Sequence, residues 1–195
     1  MVACHTGDPQ QAEEDLAPIK AFGNPVADLI MPKTYVEQQS MLDATQPKGA
    51  NYYCKTEFIP EVNDDFLRAT LDNAAEIESP MSQLATFHIA GAVNEHAEDD
   101  GAVGNRDAAY VTAASAAWPT IDLNGDTHQQ WARSSWDRIE PFSTGGNYIN
   151  FQMTDDDVTR IESSYRGNYE RLRRAKAEYD PENLFRVNRN LEPAG

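Results

Sequence analysis

The sequence predicts an α+β fold, in which an antiparallel-rich β-sheet carries helices on one side and a C-terminal helix leads into an irregular tail. Two observations predict this class. Segments with strand-like alternation and segments with helical spacing of apolar residues mix in roughly equal measure. Several connections between the predicted strands are also too short for the crossovers that parallel strands require. With no internal repeat and no low-complexity linker, the chain is expected to form one continuous domain.

The predicted strands are short apolar or alternating runs that end near turn residues. The clearest is 51–59, which is rich in aromatic and β-branched residues, the types that suit a pleated surface. The last predicted strand follows Gly145-Gly146. The full set covers residues 2–5, 27–31, 51–59, 84–92, 108–118 and 147–153.

The predicted helices begin at capping residues, because a side-chain oxygen there can accept a backbone N–H that has no partner inside the helix. Asp8 caps the first, with Pro9 at its first helical position, and Asn63 caps the third. The last ends at Asp180-Pro181, after which Leu184 and Phe185 are expected to pin the tail to the core. The set covers residues 9–22, 35–42, 64–77, 127–139, 154–161 and 169–179.

The charge balance is strongly acidic. Thirty-two Asp and Glu residues face 16 Lys and Arg residues, which gives a formal net charge of -16. Such a surface repels phosphate backbones, so nucleic acid is not an expected partner. No apolar run approaches the ~20 residues needed to span a bilayer, so a cytoplasmic protein is expected. The spread of acidic residues indicates either adaptation to a salt-rich cytoplasm or an ordinary acidic protein.

Three ordered segments near the carboxyl end resemble one enzyme family. They are Pro-Phe-Ser-Thr-Gly-Gly-Asn-Tyr-Ile-Asn-Phe at 141–151, Tyr-Arg-Gly-Asn-Tyr-Glu-Arg-Leu at 165–172, and the run from Lys176 to Asn190 that contains Asp-Pro-Glu-Asn-Leu-Phe. Together they resemble the C-terminal substrate domain of berberine-bridge-enzyme-like FAD oxidoreductases. Weaker similarity upstream makes 1–140 a substrate-domain-like region and 141–195 the berberine-bridge-like segment of one domain.

A strand at 147–153 would place Tyr148 and Asn150 on one face, where a phenol and a carboxamide suit a polar ligand. The alternative is that neighbouring backbone groups satisfy both side chains. The resemblance implies the first interpretation, with Tyr148 and Asn150 facing a flavin and a small organic substrate. It also implies that Asn188 and Asn190 contact the flavin cofactor, as the tail that carries them closes back against the FAD domain.

Position 151 departs from the family pattern. Many members carry a tyrosine there that takes the substrate proton, whereas this chain has Phe151, which cannot exchange a proton. Tyr148 is the candidate that would replace this tyrosine as the base, although strand alternation would place Tyr148 on the face opposite to position 151. Four alternatives follow: the catalytic base is Tyr148, it is another residue of this chain, it lies in a different domain, or there is no such base.

The sequence contains no glycine-rich phosphate-binding loop. The resemblance implies that FAD is bound mainly by a separate domain, which is also the expected partner. Three interpretations follow: the substrate-facing part of a flavoenzyme that transfers hydride and is inactive alone, one subunit of a split flavoenzyme, or a catalytically silent fragment that self-associates as a homo-oligomer.

Overall fold

A computed structural model describes residues 1–156, 158–187 and 189–195, and it divides into two units, Met1–Pro47 and Lys48–Gly195. The predicted cap at 154–157 therefore falls partly outside the described residues, and the predicted flavin contact at Asn188 falls wholly outside them. Among the residues described, no helix has the length and apolar content needed to cross a bilayer.

The first unit is built around two capped helices. The Asp8 carboxylate accepts the backbone N–H groups of Gln10 at 2.8 Å and Gln11 at 3.3 Å, which starts α1 (Pro9–Lys20) as predicted. A capping box starts α2 (Tyr35–Ser40), in which Thr34 and Glu37 each bind the other's backbone N–H.

The strands predicted at 2–5 and 27–31 do not form. A strand needs a neighbour to pair its backbone groups, and no described residue of the first unit forms such a ladder. At the second site, the Asp28 carboxylate instead accepts the Ile30 backbone N–H at 2.9 Å. An apolar run alone was therefore insufficient to define these strands.

The second unit contains a three-stranded antiparallel sheet, which confirms the predicted fold class. Strands β1 (Asn51–Ile59), β2 (Gln83–His88) and β3 (Tyr110–Trp118) lie in the order β1-β3-β2. In the register, Tyr53 on β1 faces Ala116 of β3, and Leu84 on β2 faces Ala114 of β3. Strand β2 is shorter than the predicted 84–92 because the chain turns at Gly91, whose φ is +90°.

Helices cover one face of this sheet. The third helix, α3 (Asp64–Ala75), begins at Asn63, whose side chain accepts the Phe66 backbone N–H at 2.9 Å as predicted. The next helix, α4 (Gly125–Ile139), packs across β1 and β3 and against α3. The main core consists of six buried residues from β1, β3 and α4: Tyr53, Ala114, Ala116, Trp118, Trp131 and Ala132.

Two further helices complete the fold, α5 (Val158–Tyr165) and α6 (Tyr169–Tyr179). Contrary to the prediction, the tail after α6 does not pack on the core, since Leu184 is 74% exposed and Phe185 is 77% exposed. Polar contacts hold this tail instead. The Asp180 carboxylate accepts the backbone N–H groups of Leu184 at 2.7 Å and of Phe185 at 3.0 Å, so both apolar side chains face outward.

Candidate functional site

The predicted site lies on a turn rather than on a strand. Gly145 and Gly146 have φ values of +89° and +72°, which only glycine adopts without strain, and a 3-10 turn follows at Ile149–Phe151. The Phe151 backbone N–H binds the Tyr148 carbonyl at 2.9 Å, closing the turn locally. The strand predicted at 147–153 is therefore wrong.

Buried polar side chains explain why this segment forms a turn instead of the predicted strand. Asn147 is 1% exposed, and its side-chain carbonyl oxygen accepts the Gln152 side-chain amide at 2.8 Å. The Asn147 backbone N–H binds the Ser164 hydroxyl of α5 at 3.1 Å. Because side-chain hydrogen bonds satisfy the backbone here, the segment does not need a neighbouring strand.

The turn nevertheless brings Tyr148 and Asn150, the two predicted site residues, into contact. The Asn150 side-chain amide donates to the Tyr148 hydroxyl at 2.8 Å. Tyr148 is 39% exposed and Asn150 is exposed, so both side chains can reach a ligand. Phe151 was expected on the opposite face, but its ring lies 5.5 Å from the Tyr148 ring in an edge-on contact, because a 3-10 turn does not alternate faces.

The tail meets the end of this turn through a residue that sequence reasoning missed. The Arg189 guanidinium donates to the Gln152 backbone carbonyl. Asn190 donates to the Glu192 carboxylate at 2.9 Å, and its own side-chain carbonyl oxygen is buried without a partner among the described residues. The tail also contains Arg186, and nothing in the sequence pattern distinguishes Arg189 as the residue that makes this contact.

A second open surface is the sheet face opposite α4. By strand alternation, Tyr52, Cys54 and Phe87 point to this face, with Tyr52 40% exposed and Phe87 50% exposed. The Cys54 thiol lies 3.3 Å from the Ser115 hydroxyl between them, and burial raises the pKa of this thiol. The face combines apolar rings with small polar groups.

A cluster of charged residues lies on the α4 side, and no pattern in the sequence indicated it. Lys55 is 7% exposed, and its ammonium donates to Asp156 at 2.6 Å and to Asp155 at 3.3 Å. Tyr53 donates to Asp155 at 2.6 Å, and Arg133 donates to the Tyr53 hydroxyl at 3.0 Å. Of these residues, Lys55, Arg133, Asp155 and Asp156 line part of a cleft of about 690 Å³, which does not include Tyr148 or Asn150.

The Asp155 carboxylate is stabilised in its charged form. Burial raises the pKa of Asp155, but hydrogen bonds from Tyr53 and Arg133 and the charge of Lys55 outweigh burial and hold the pKa at about 2. The cations of the cluster are matched by carboxylates, so the cluster ties the sheet to α4 and to the chain before α5.

Low pH should weaken the contacts of the Asp155 carboxylate with Tyr53, Lys55 and Arg133. Because the pKa of Asp155 is lower in the folded state, its contribution to stability is present above the ordinary carboxyl pKa of about 4 and is lost as pH falls toward 2. We expect Asp155→Asn to flatten the fall in unfolding free energy between pH 4 and pH 2, measured by urea titration. Asp99→Asn, at an exposed carboxylate, is the control and should follow the parent protein. Equal slopes for the two variants would contradict this expectation.

Comparison with known proteins shows that the chain is similar to FAD-linked oxidoreductases. It is 28% identical to an FAD-linked oxidoreductase of Dictyostelium discoideum over 99% of this chain and 42% of that protein. It resembles the structure of 6-hydroxy-D-nicotine oxidase from Arthrobacter nicotinovorans with a TM-score of 0.74 and 22% identity, covering 97% of this chain and 43% of that one.

Residues 147–192 match the family described as berberine and berberine like. Berberine bridge enzyme from Eschscholzia californica superposes with a TM-score of 0.64 and 19% identity, over 74% of this chain and 33% of that enzyme. The family resemblance predicted from the sequence is confirmed. The chain spans less than half the length of the relatives it matches.

Proposed function

We propose that this chain is the substrate-facing part of an FAD-dependent oxidoreductase that oxidises a small organic molecule by hydride transfer. The observation that carries the proposal is the exposed, hydrogen-bonded pair of Tyr148 and Asn150, on a turn that matches the family. The FAD-linked oxidoreductases among the relatives support the cofactor. When bound, the flavin would supply the electron acceptor, which amino-acid side chains cannot provide.

Tyr148 and Asn150 fit one face of a flavin or a polar substrate. Asn150 donates one amide hydrogen to the Tyr148 oxygen, which leaves the phenol hydrogen available to a ligand acceptor. The second amide hydrogen and the carbonyl oxygen of Asn150 offer a further donor and acceptor. In this proposal Asn150 orients the phenol, Tyr148 orients the ligand and holds the proton nearest to it, and Phe151 excludes water beside them.

The sheet face opposite α4 would form a second wall of the substrate cavity. Tyr52 and Phe87 provide exposed rings for an apolar substrate body, and Cys54 with Ser115 provides small polar groups between them. Ligand sites commonly combine apolar lining with a few polar groups in this way.

The partner in the proposal is an FAD-binding domain. Exposed apolar side chains on the tail support it, since Leu184, Phe185 and Val187 are 74%, 77% and 83% exposed. The first unit also exposes large apolar residues, which include Phe22, Val26, Leu29, Tyr35 and Val36. Exposed apolar surface of this extent is typical of a protein interface. The proposal applies equally to an FAD-binding domain in the same polypeptide and to one in a second subunit.

FAD alone should bind weakly. Titrating the isolated chain with FAD is expected to give no shift of the visible flavin spectrum, with a Kd weaker than about 1 mM, because the described contacts would cover only part of the cofactor. A spectral shift at micromolar FAD, lost in the double variant Tyr148→Phe/Asn150→Ala, would show that the chain holds the cofactor unaided. That result would overturn the need for a partner domain.

The same exposed residues favour a second candidate, a catalytically silent fragment that self-associates. Leu184, Phe185 and Val187 on one chain could pack against those of another chain. Light scattering over a range of protein concentrations distinguishes the two. A tight dimer that Leu184→Asp/Phe185→Asp disrupts would favour the silent fragment, whereas a monomer at all concentrations would contradict it.

A further inference from the structure

The buried carboxylate of Glu57 lies directly behind the Ser143–Asn147 strap, the segment that leads into the turn. Glu57 is on β1 and is 1% exposed. It accepts hydrogen bonds from the Trp136 indole N–H, the Arg160 guanidinium and the Ser143 hydroxyl. A buried charge is tolerated only when it is paired and hydrogen-bonded, and three donors meet that condition.

Ser143 connects Glu57 to the strap through hydrogen bonds. Its hydroxyl donates to Glu57, and the same oxygen accepts the Gly145 backbone N–H at 2.9 Å. The Thr144 backbone N–H binds the Phe58 carbonyl at 2.9 Å, so the strap follows β1 one residue beyond Glu57. The start of the turn is therefore tied to the sheet.

Arg160 extends the anchor to the other end of the turn. Its guanidinium contacts Glu57 and donates to the Thr56 carbonyl at 2.7 Å, which fixes α5 against β1. The Ser164 hydroxyl lies 2.7 Å from the Arg160 carbonyl and 2.9 Å from the Asn147 side-chain carbonyl. Gln152 donates to the same hydroxyl at 3.0 Å, so residues on both sides of Tyr148 and Asn150 connect to one group.

We infer that Glu57 is a positioning residue, which acts through Ser143 and Arg160 to hold the turn that carries Tyr148 and Asn150. Glu57 does not itself touch a ligand in this account. The inference rests on the proposed function in one respect, namely that the turn faces a flavin or substrate. The hydrogen bonds that hold the turn in place lie within this chain. A carboxylate is required because it offers two acceptor oxygens to three donors, whereas a glutamine offers one.

Hydrogen exchange and NMR on the isolated chain test the inference. In Glu57→Gln, the backbone amides of 144, 145, 147, 151 and 152 should exchange about tenfold faster or more, while amides of β3 change much less. The side-chain amide resonance of Asn150 should also shift, because its geometry to the Tyr148 hydroxyl changes. Ser134→Ala is the control, since it removes a hydroxyl from α4 outside this cluster.

A second variant keeps the test decisive if Glu57→Gln folds poorly. Ser143→Ala leaves the pair of Glu57 and Arg160 intact and should still speed exchange at 144 and 145 and shift the Asn150 resonance. Exchange at the turn that matches Ser134→Ala would overturn the inference, as would a uniform rise that includes β3. These measurements need no flavin, so they stand or fail separately from the flavin titration.

Discussion

Replacing Lys55 by methionine is expected to destabilise the larger unit by about 3 kcal/mol, because it removes the closest cation from the buried Asp156 carboxylate and leaves the more distant Arg160 at 3.6 Å. Lys55 is 7% exposed, and the side chain of its partner Asp156 is 2% exposed at 2.6 Å. The pKa of Lys55 is raised on balance: burial lowers it, and the hydrogen bond and charge of Asp156 outweigh burial. Urea unfolding followed by tryptophan fluorescence measures the loss.

Lys48→Met is the matched control, since it removes the same charge from an exposed position. Both variants carry one more net negative charge, so the difference between them measures the contribution of Lys55 through its contacts with Asp155 and Asp156. Lys55→Met/Asp156→Leu should lose less stability than the sum of the two single variants, because the double variant removes both charges of the pair together. A Lys55→Met protein as stable as Lys48→Met would show that the cluster contributes nothing.

Gly146→Ala is expected to cost about 3 kcal/mol or more, because two separate penalties add. The φ of +72° disfavours any residue with a Cβ, and a Cβ at this position would lie 2.6 Å from the Ser163 carbonyl oxygen. The chain would have to move away from α5, which would also loosen the contact between Asn147 and Ser164. Thermal unfolding should show a midpoint about 6–12 °C lower.

Gly145→Ala separates the two penalties. Gly145 has a similar φ of +89°, but a Cβ added there would meet no atom within 4 Å among the described residues. Only the backbone strain of about 1 kcal/mol should appear in this variant. Equal losses for Gly145→Ala and Gly146→Ala would contradict the close packing of the strap against α5.

Elements specified by local chemistry could be predicted from the sequence. Strand β1 matched its predicted range of 51–59, because five of its nine residues are aromatic or β-branched. The caps at Asp8 and Asn63 were predicted since a short polar side chain can bind the helix's own first N–H groups. Helix α6 matched its predicted range because Asp180-Pro181 ends it.

The rest depended on contacts between distant residues. Asn147 forms side-chain hydrogen bonds with Gln152 and Ser164, and these favour a turn where a strand was predicted. The alternation pattern from which the strand was predicted contains no information about these hydrogen bonds. The predicted pair still formed, though through a direct hydrogen bond instead of strand alternation. Leu184 and Phe185 were expected in the core on hydrophobicity alone, which cannot distinguish a buried apolar residue from an exposed one.

The most direct test of the central claim adds the FAD-binding part. We would mix this chain with a separately purified FAD-binding region of the Dictyostelium relative, taken from the part of that protein that this chain does not match. We expect a one-to-one complex whose flavin spectrum shifts when the chain is added, with a smaller shift in Tyr148→Phe/Asn150→Ala and in Leu184→Asp/Phe185→Asp. A complex whose spectrum is identical for the parent chain and for the Tyr148 and Asn150 variant would contradict it.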